Sequence, residues 1–131
     1  PGDIVYFGRL EVRKGILPLV EACSRLWEAG VKFCLTAIGG DTWYHLQGCP
    51  MKAYLQQKYR RYIEAGQLIL FSPLAQAQLY DRIAQAWCVV IPSLWENFPN
   101  TCLESMLLGK VILASSGVGH GEMLRTDRGH A

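Results

Sequence analysis

Two glutamates, Glu96 and Glu104, lie eight positions apart in a segment rich in aromatic, proline and asparagine residues. An ionised carboxylate accepts hydrogen bonds from a vicinal pair of hydroxyl groups, which sugars and ribose carry. Glu96 is flanked by Trp95, Phe98 and Pro99, a poor setting for an idle charge. The alternative is that Glu104 only caps a helix and Glu96 is solvated. The pair therefore indicates a hydroxyl-rich ligand, with a structural role left open.

A second candidate site lies between Gly8 and Gly15, where Arg9 and Lys14 belong to one short loop. Glycines allow a tight turn and close approach of a ligand, and the start of the next helix favours an anion. Arg9 can bind a phosphate through its planar fork and Lys14 as a point charge. The loop has neither the Walker nor the G-x-G-x-x-G pattern. A phosphate site and a solvated basic loop explain this segment equally well.

The hydrophobic pattern predicts the elements that position these residues. Short apolar runs at 4–7, 33–38, 68–71, 88–91 and 111–114 are typical of buried β-strands. Apolar residues three and four apart predict helices at 15–30, in one long stretch from 50 to 66, at 79–86 and at 101–108. This alternation predicts an α/β fold, a Rossmann-like doubly wound parallel sheet forming a single domain over residues 1–131.

Ligands of such sheets bind outside the carboxyl ends of the strands. The loops that begin at Gly8, Gly39, Ser72, Pro92 and Ser115 are therefore the predicted functional loops. In the fourth of these loops, the free backbone N–H groups at 100–102 would start a helix and bind a phosphate or a sugar.

Composition narrows the class of protein. A chain of 131 residues that is 50% hydrophobic and 18% charged fits one folded domain and excludes a disordered one. A net charge of +2 is too small to indicate nucleic acid or a membrane surface, and no apolar run is long enough to cross a bilayer. The basic and aromatic stretch at 52–62 is interpreted as an amphipathic helix rather than an RNA- or membrane-binding surface.

The chemistry of the remaining residue types points away from metals and disulfides. The five cysteines lack a C-x-x-C pair and lie mostly in apolar runs, which predicts buried free thiols in a reducing, cytoplasmic location. The three histidines lack ligand spacing, and the segment 41–43 is not a D-x-D motif, so no metal is assigned. A start without methionine and an end without a closing element predict a piece truncated at both ends.

Several motifs, in order, make the whole chain resemble the C-terminal, donor-binding domain of family 4 retaining glycosyltransferases, which have the GT-B fold. The two glutamates form an E-x7-E pattern. The opening loop resembles the family's G-R-L…K-G, and a glycine turn follows the second strand. Residues 80–86 followed by 90–93 match the family's helix that leads into a P-S pair. Residues 103–110 are similar to its l-E-A-M-A-x-G-x.

The resemblance implies roles for individual residues. Arg9 and Lys14 would hold the donor diphosphate and stabilise charge on the departing nucleotide, and Glu96 would contact the donor sugar, so these three are the catalytic candidates. Glu104 would bind the ribose hydroxyls. The rest of the donor site would comprise Gly8, Leu74 in the base-facing turn 72–74, Phe98, Pro99, Asn100 and Thr101.

The resemblance also implies an activity. A sugar would be transferred with retention from a UDP-, GDP- or ADP-sugar, without a divalent metal, to an acceptor held by a separate N-terminal domain. The isolated piece would bind the donor but transfer nothing, and any membrane contact would come from the missing part. The alternatives are a non-catalytic nucleotide or nucleotide-sugar binding module, or another GT-B enzyme such as an epimerase or a phosphorylase. The chain departs from the family at 96–99, where E-G-F-G is common, and at Trp87, where Asp is frequent.

Overall fold

A computed structural model of the chain describes residues 2–92 and the backbone of residues 112–114. Strands and helices alternate through this part of the chain, as the hydrophobic pattern predicts. In chain order the elements are β1 (Gly2–Phe7), a 3-10 turn (Val12–Lys14), α1 (Ile16–Glu28), β2 (Phe33–Ile38), β3 (Trp43–Tyr44), β4 (Cys49–Pro50), α2 (Met51–Lys58), α3 (Arg60–Glu64), β5 (Leu68–Phe71), α4 (Gln76–Gln85), β6 (Cys88–Ile91) and β7 (Ile112–Ala114).

Five of these strands form one parallel sheet in the order β5-β2-β1-β6-β7. The chain builds outward from β1 through β2 to β5, then returns across the sheet to place β6 on the other side of β1. This reversal of strand order between β1 and β6 is a topological switch point, where open α/β sheets leave a ligand-binding crevice. The predicted doubly wound parallel sheet is confirmed.

The two faces of the sheet are covered by different helices because successive strand residues point to opposite sides. Tyr6 of β1 belongs to the core beneath α1 and α2, together with Leu35 of β2. Val5 and Phe7 point the other way and pack with Ile83 of α4. β1, β2 and β6 have buried residues on both faces, which explains why they appear in the sequence as continuous apolar runs.

The single helix predicted between Pro50 and Gly66 is wrong, because the structure divides it at Tyr59, whose φ of −111° and ψ of 28° are not helical. The Tyr59 side chain is buried, and its hydroxyl donates to the carboxylate of Glu21 on α1 at 3.2 Å. Beyond the break, the ring of Tyr62 lies 5.2 Å from that of Trp27. Both tyrosines therefore contact α1, and the apolar periodicity does not reveal the interruption.

The short ribbon formed by β3 and β4 is absent from the predicted elements. Its two rungs pair Trp43 with Pro50 and Tyr44 with Cys49 in antiparallel register. Tyr44 is buried with its ring edge-on to Tyr54 at 5.0 Å. Strands of two residues are too short to produce a recognisable alternation, so the sequence pattern does not indicate them.

The predicted thiol burial is confirmed at two positions. Cys23 and Cys88 are buried free thiols, whereas Cys34 and Cys49 are free but partly exposed, and Cys102 lies outside the described residues. The predicted helix at 101–108 also lies outside them. The last predicted strand is present as β7, and Val111, its first predicted residue, lies outside the described residues. No helix within 2–92 is both long enough and apolar enough to cross a bilayer.

Candidate functional site

The loops after β1 and β2 remain paired beyond the edge of the sheet. The Gly8 N–H donates to the Ile38 carbonyl at 2.9 Å, and the Leu10 N–H donates to the Gly40 carbonyl at 2.8 Å. The Gly39 N–H donates in turn to the Phe71 carbonyl at the end of β5. Three adjacent strand ends are therefore joined by backbone hydrogen bonds. The amide of Gly8 is already used in this joint, so it is not available to a ligand phosphate.

A pocket of about 230 Å³ opens at these joined strand ends. Three glycines and Arg9 line it together with apolar side chains, and its surface is mainly apolar. The structure thus brings together three of the predicted site residues, Gly8, Arg9 and Leu74. The other lining residues are Phe7, Ile38, Gly39, Gly40, Pro73 and Leu79.

Arg9 combines a fixed backbone with an exposed side chain. Its carbonyl oxygen accepts hydrogen bonds from the Tyr6 hydroxyl and from the Glu11 N–H, the latter at 2.9 Å. The phenol of Tyr6 is itself buried in the core, so the sheet interior holds the loop backbone at Arg9. The Arg9 side chain is exposed and Arg9 lines the pocket, so it can meet an anionic ligand there.

Lys14 lies at the other end of the same loop and does not line this pocket. It is the last residue of the 3-10 turn, and the next residue, Gly15, has a left-handed φ of 78°. A β-carbon at Gly15 would overlap the carbonyl oxygen of Pro92, just past β6. This close packing places Lys14 and the start of α1 at the switch point between β1 and β6.

The amino end of α1 adds to the positive character of the switch point. The 13-residue helix starts at Ile16, and its first turn contains no acidic residue. The unpaired N–H groups of a helix start carry partial positive charge and favour anions. The segment that follows Pro92 carries the other site candidates, all of which lie outside the described residues: Glu96, Phe98, Pro99, Asn100, Thr101 and Glu104.

Lys52 is a cation near the pocket that the sequence did not single out. It lies in the first turn of α2, and its ammonium contacts the Ser72 hydroxyl at 3.4 Å. Ser72 precedes the pocket-lining residues Pro73 and Leu74. The position of Lys52 after the loop that follows β2 could have indicated it. Lys52 also belongs to the basic stretch at 52–62, which is interpreted as one face of a helix.

Two other basic residues of that stretch, Lys58 and Arg61, contact aromatic rings. The Lys58 ammonium lies 5.6 Å from the centre of the Tyr54 ring, and the Arg61 guanidinium lies 5.1 Å from that of Tyr62. Arg61 also pairs with Glu28 at 2.8 Å. These intramolecular contacts support an amphipathic packing role rather than a surface for nucleic acid.

The Asp41 carboxylate accepts backbone hydrogen bonds. One of its carboxylate oxygens accepts the N–H groups of Thr42 and of Lys52, both at 2.9 Å, so Asp41 caps the amino end of α2. Within residues 2–92, no three histidine, cysteine, aspartate or glutamate side chains are grouped so that they could hold a metal ion.

The sequence itself assigns the chain to a family. The family model described as glycosyl transferases group 1 matches residues 1–128. The chain belongs to the group 1 glycosyl transferases. A search of curated proteins finds no significant match to this glycosyl transferase chain.

Solved structures of other glycosyltransferases share the fold. The catalytic domain of Starch Synthase IV from Arabidopsis thaliana is 18% identical with a TM-score of 0.69. Anabaena HepE in complex with UDP-glucose is 21% identical with a TM-score of 0.72, and the pneumococcal O-GlcNAc transferase GtfA is 18% identical with a TM-score of 0.72. Each match covers 92% of this glycosyl transferase chain but only 23%, 31% and 22% of the respective structures. The chain therefore spans less than a third of the proteins it resembles.

Proposed function

We propose that the chain binds the nucleoside diphosphate part of a UDP-, GDP- or ADP-sugar and forms the donor half of a retaining glycosyltransferase. Family membership supports this function. Three similar structures are complexes with ADP and acarbose, with UDP-glucose, and with UDP and GlcNAc. The acceptor would bind mainly to a second domain, which faces the carboxyl edge of this sheet.

The pocket at the ends of β1, β2 and β5 is the observation that carries the proposal. Its volume of about 230 Å³ is below the roughly 300–1,000 Å³ typical of whole ligand sites. It therefore suits one end of a nucleotide-sugar, the base with its ribose, on the apolar surface beside Pro73 and Leu74. Arg9 also lines the pocket and would meet the phosphates there.

The remainder of the donor would extend along the loop toward the switch point. Arg9 and Lys14 lie at opposite ends of this loop, so each would meet a different part of the diphosphate, with the start of α1 beside Lys14. In this arrangement the sugar reaches the segment that carries Glu96, and Glu104 takes the ribose hydroxyls.

Catalysis would rest on charge stabilisation. Two cations aimed at the departing diphosphate lower the barrier as the leaving group gains charge, and they replace the divalent metal that other enzymes use. Retention of configuration is tested by NMR of the anomeric proton in the first product formed by the whole protein.

A second candidate function is a non-catalytic nucleotide-binding module. It would use the same pocket, so a binding measurement does not distinguish it from the transferase. An activity assay of the whole protein does. Sugar transfer to an added acceptor supports the transferase. Interconversion of donor sugars would indicate an epimerase, and phosphate-dependent release of sugar would indicate a phosphorylase. The 131-residue chain alone should bind but not transfer.

Calorimetry tests the binding site directly. We expect UDP, GDP or ADP to bind the chain, and Arg9→Ala to weaken binding roughly ten- to hundredfold, since a hydrogen bond from a charged group contributes about 1.5–3 kcal/mol. Arg60→Ala, which removes an exposed arginine from α3, is the matched control and should bind like the wild type. Binding to none of the three nucleotides, or equal loss in both variants, would refute the site assignment.

A further inference from the structure

A second depression, of about 480 Å³, lies next to the nucleotide pocket. One wall is the 3-10 turn with Glu11 and Arg13, and the other is the loop and ribbon at 42–46. A parallel bridge between Leu10 and Asp41 separates the two depressions. Arg9 lines the pocket and Glu11 lines this groove, and two residues span at most about 7 Å of chain. A ligand in the groove would therefore be close to the bound donor.

The groove contains the exposed indole of Trp43, which lies on the ribbon formed by β3 and β4. Trp43 is 54% exposed, whereas its neighbour Tyr44 is buried against Tyr54. Because adjacent residues of a strand point to opposite faces, burial of Tyr44 turns Trp43 outward. The Thr42 hydroxyl donates to the Leu10 carbonyl at 2.6 Å, which ties the ribbon to the loop after β1.

Exposed apolar side chains are concentrated around this indole. Val12 is 45% exposed on the opposite wall, and Leu46 is 85% exposed at the tip of the ribbon. Apolar residues grouped around a concave surface, rather than scattered, mark binding sites.

Glu11 and Arg13 form an ion pair on one wall of the groove, and Thr42 and His45 lie on the other. Two nitrogens of Arg13 donate to the same carboxylate oxygen of Glu11, at 3.1 and 3.3 Å. The second carboxylate oxygen is outside this contact and can accept, while the guanidinium retains further donors. Since the pair has no net charge, it favours a ligand with many hydroxyl groups over a phosphate.

We propose that this groove binds a pyranose ring of the acceptor saccharide, with the CH face of the ring on Trp43 and its hydroxyls on Glu11 and Arg13. An aromatic face with acceptor and donor groups beside it matches the two surfaces of a sugar ring. The assignment as the acceptor rests on the proposed function. The binding of a saccharide does not, because the groove and the nucleotide pocket are lined by different residues.

Titration of the ¹⁵N-labelled chain with methyl β-D-glucopyranoside and methyl β-D-galactopyranoside tests the groove. We expect the Trp43 indole N–H signal to shift with a Kd on the order of 1 mM, as suits a ligand of about a dozen heavy atoms. The Trp27 indole is buried and donates to the Phe33 carbonyl at 2.9 Å, so its signal is the internal reference and should stay fixed.

Two variants complete the test. Trp43→Ala should weaken binding at least tenfold, with saccharide-observed NMR as the readout. Trp87→Phe is the control, because Trp87 is 62% exposed but lies at the amino ends of the strands, where its backbone N–H donates to the Asp3 carbonyl. Unchanged affinity in Trp43→Ala, or no shift with either glycoside, overturns the proposal.

A parallel titration with UDP, GDP and ADP separates this proposal from the proposed function. Nucleotide binding without any shift by the glycosides refutes only the saccharide groove. Glycoside binding at Trp43 without any nucleotide binding supports the groove and refutes the donor site.

Discussion

Gly39 lies so close to the carbonyl oxygen of Gly8 that a β-carbon on Gly39 would overlap it. This contact joins the loops after β1 and β2 where both line the pocket, and the Gly8 N–H also donates to the Ile38 carbonyl. The pocket exists in its present shape because neither loop carries a side chain at the point of contact. The glycine turn that the sequence places after the second strand therefore has a packing reason as well as a binding one.

Gly39→Ala should lower the free energy of unfolding by about 1–3 kcal/mol, as overpacking against backbone does. Gly40→Ala is the matched control, because a β-carbon there would meet only the Pro73 ring at 4.0 Å, and its φ is not left-handed. We expect a change of less than about 0.5 kcal/mol for the control. Urea unfolding of both variants checks this, and equal stabilities would show that the loops move apart without cost.

β1, β2 and β6 could be predicted from the sequence because their buried residues face both sides of the sheet and therefore form continuous apolar runs. Gly8, Arg9 and Leu74 line one pocket, as expected from the rule that ligands of parallel sheets bind outside the carboxyl ends of the strands. The strand order could not be predicted in the same way, because the residues of β6 do not indicate that it pairs with β1.

The features that the sequence did not reveal depend on contacts between distant residues. The break at Tyr59 reflects the hydrogen bond of its hydroxyl to Glu21, 38 positions away. The sequence indicates no role for Trp43, because the hydrophobic pattern does not predict that Tyr44 is buried beside it. The spacing of Lys52 and Ser72 by 20 residues likewise hid their contact near the pocket.

Glu21 should make stability depend on pH. A hydrogen bond from Arg25, and a second from Tyr59, lower its pKa from the usual 4.5. Because the unfolded chain then binds a proton more readily, this contribution is full above the unfolded pKa and is lost as pH falls through the folded one. In Glu21→Gln, stability should decline less steeply below pH 4.5 than in the wild type. Chemical unfolding across this range, with Glu64→Gln as an exposed control, measures the difference.

The cysteines should react in a defined order. Burial raises the pKa of Cys23 to about 11 and also raises that of Cys88. At pH 8 only about one Cys23 thiol in a thousand is ionised, and the side chain is 5% exposed, so it should resist alkylation in the folded chain. Cys34 and Cys49 are partly exposed and should be labelled first by iodoacetamide. Mass spectrometry of native and unfolded samples follows each site; early labelling of Cys23 would contradict the packing beneath α1.

Asp41 connects the stability of α2 to the proposed saccharide groove. Its carboxylate caps the amino end of α2 through Lys52 and also accepts the N–H of Thr42, which precedes Trp43. Asp41→Ala should therefore cost about 0.5–2 kcal/mol of stability, the range for lost helix caps. Asn retains a side-chain oxygen that can accept both N–H groups, so Asp41→Asn should recover most of this loss.

The same variants distinguish a cap from a groove support. If Asp41 holds the ribbon in place, Asp41→Ala should also weaken glycoside binding at Trp43 by a few-fold under conditions where the chain is fully folded. Asp81→Ala, an exposed aspartate on α4, should affect neither property. Loss of stability with unchanged glycoside affinity would assign Asp41 to α2 alone, because a ribbon that depended on its carboxylate could not keep the Trp43 ring in position without it. Equal effects on both, restored together by Asp41→Asn, would show that one carboxylate positions the helix start and the wall of the groove.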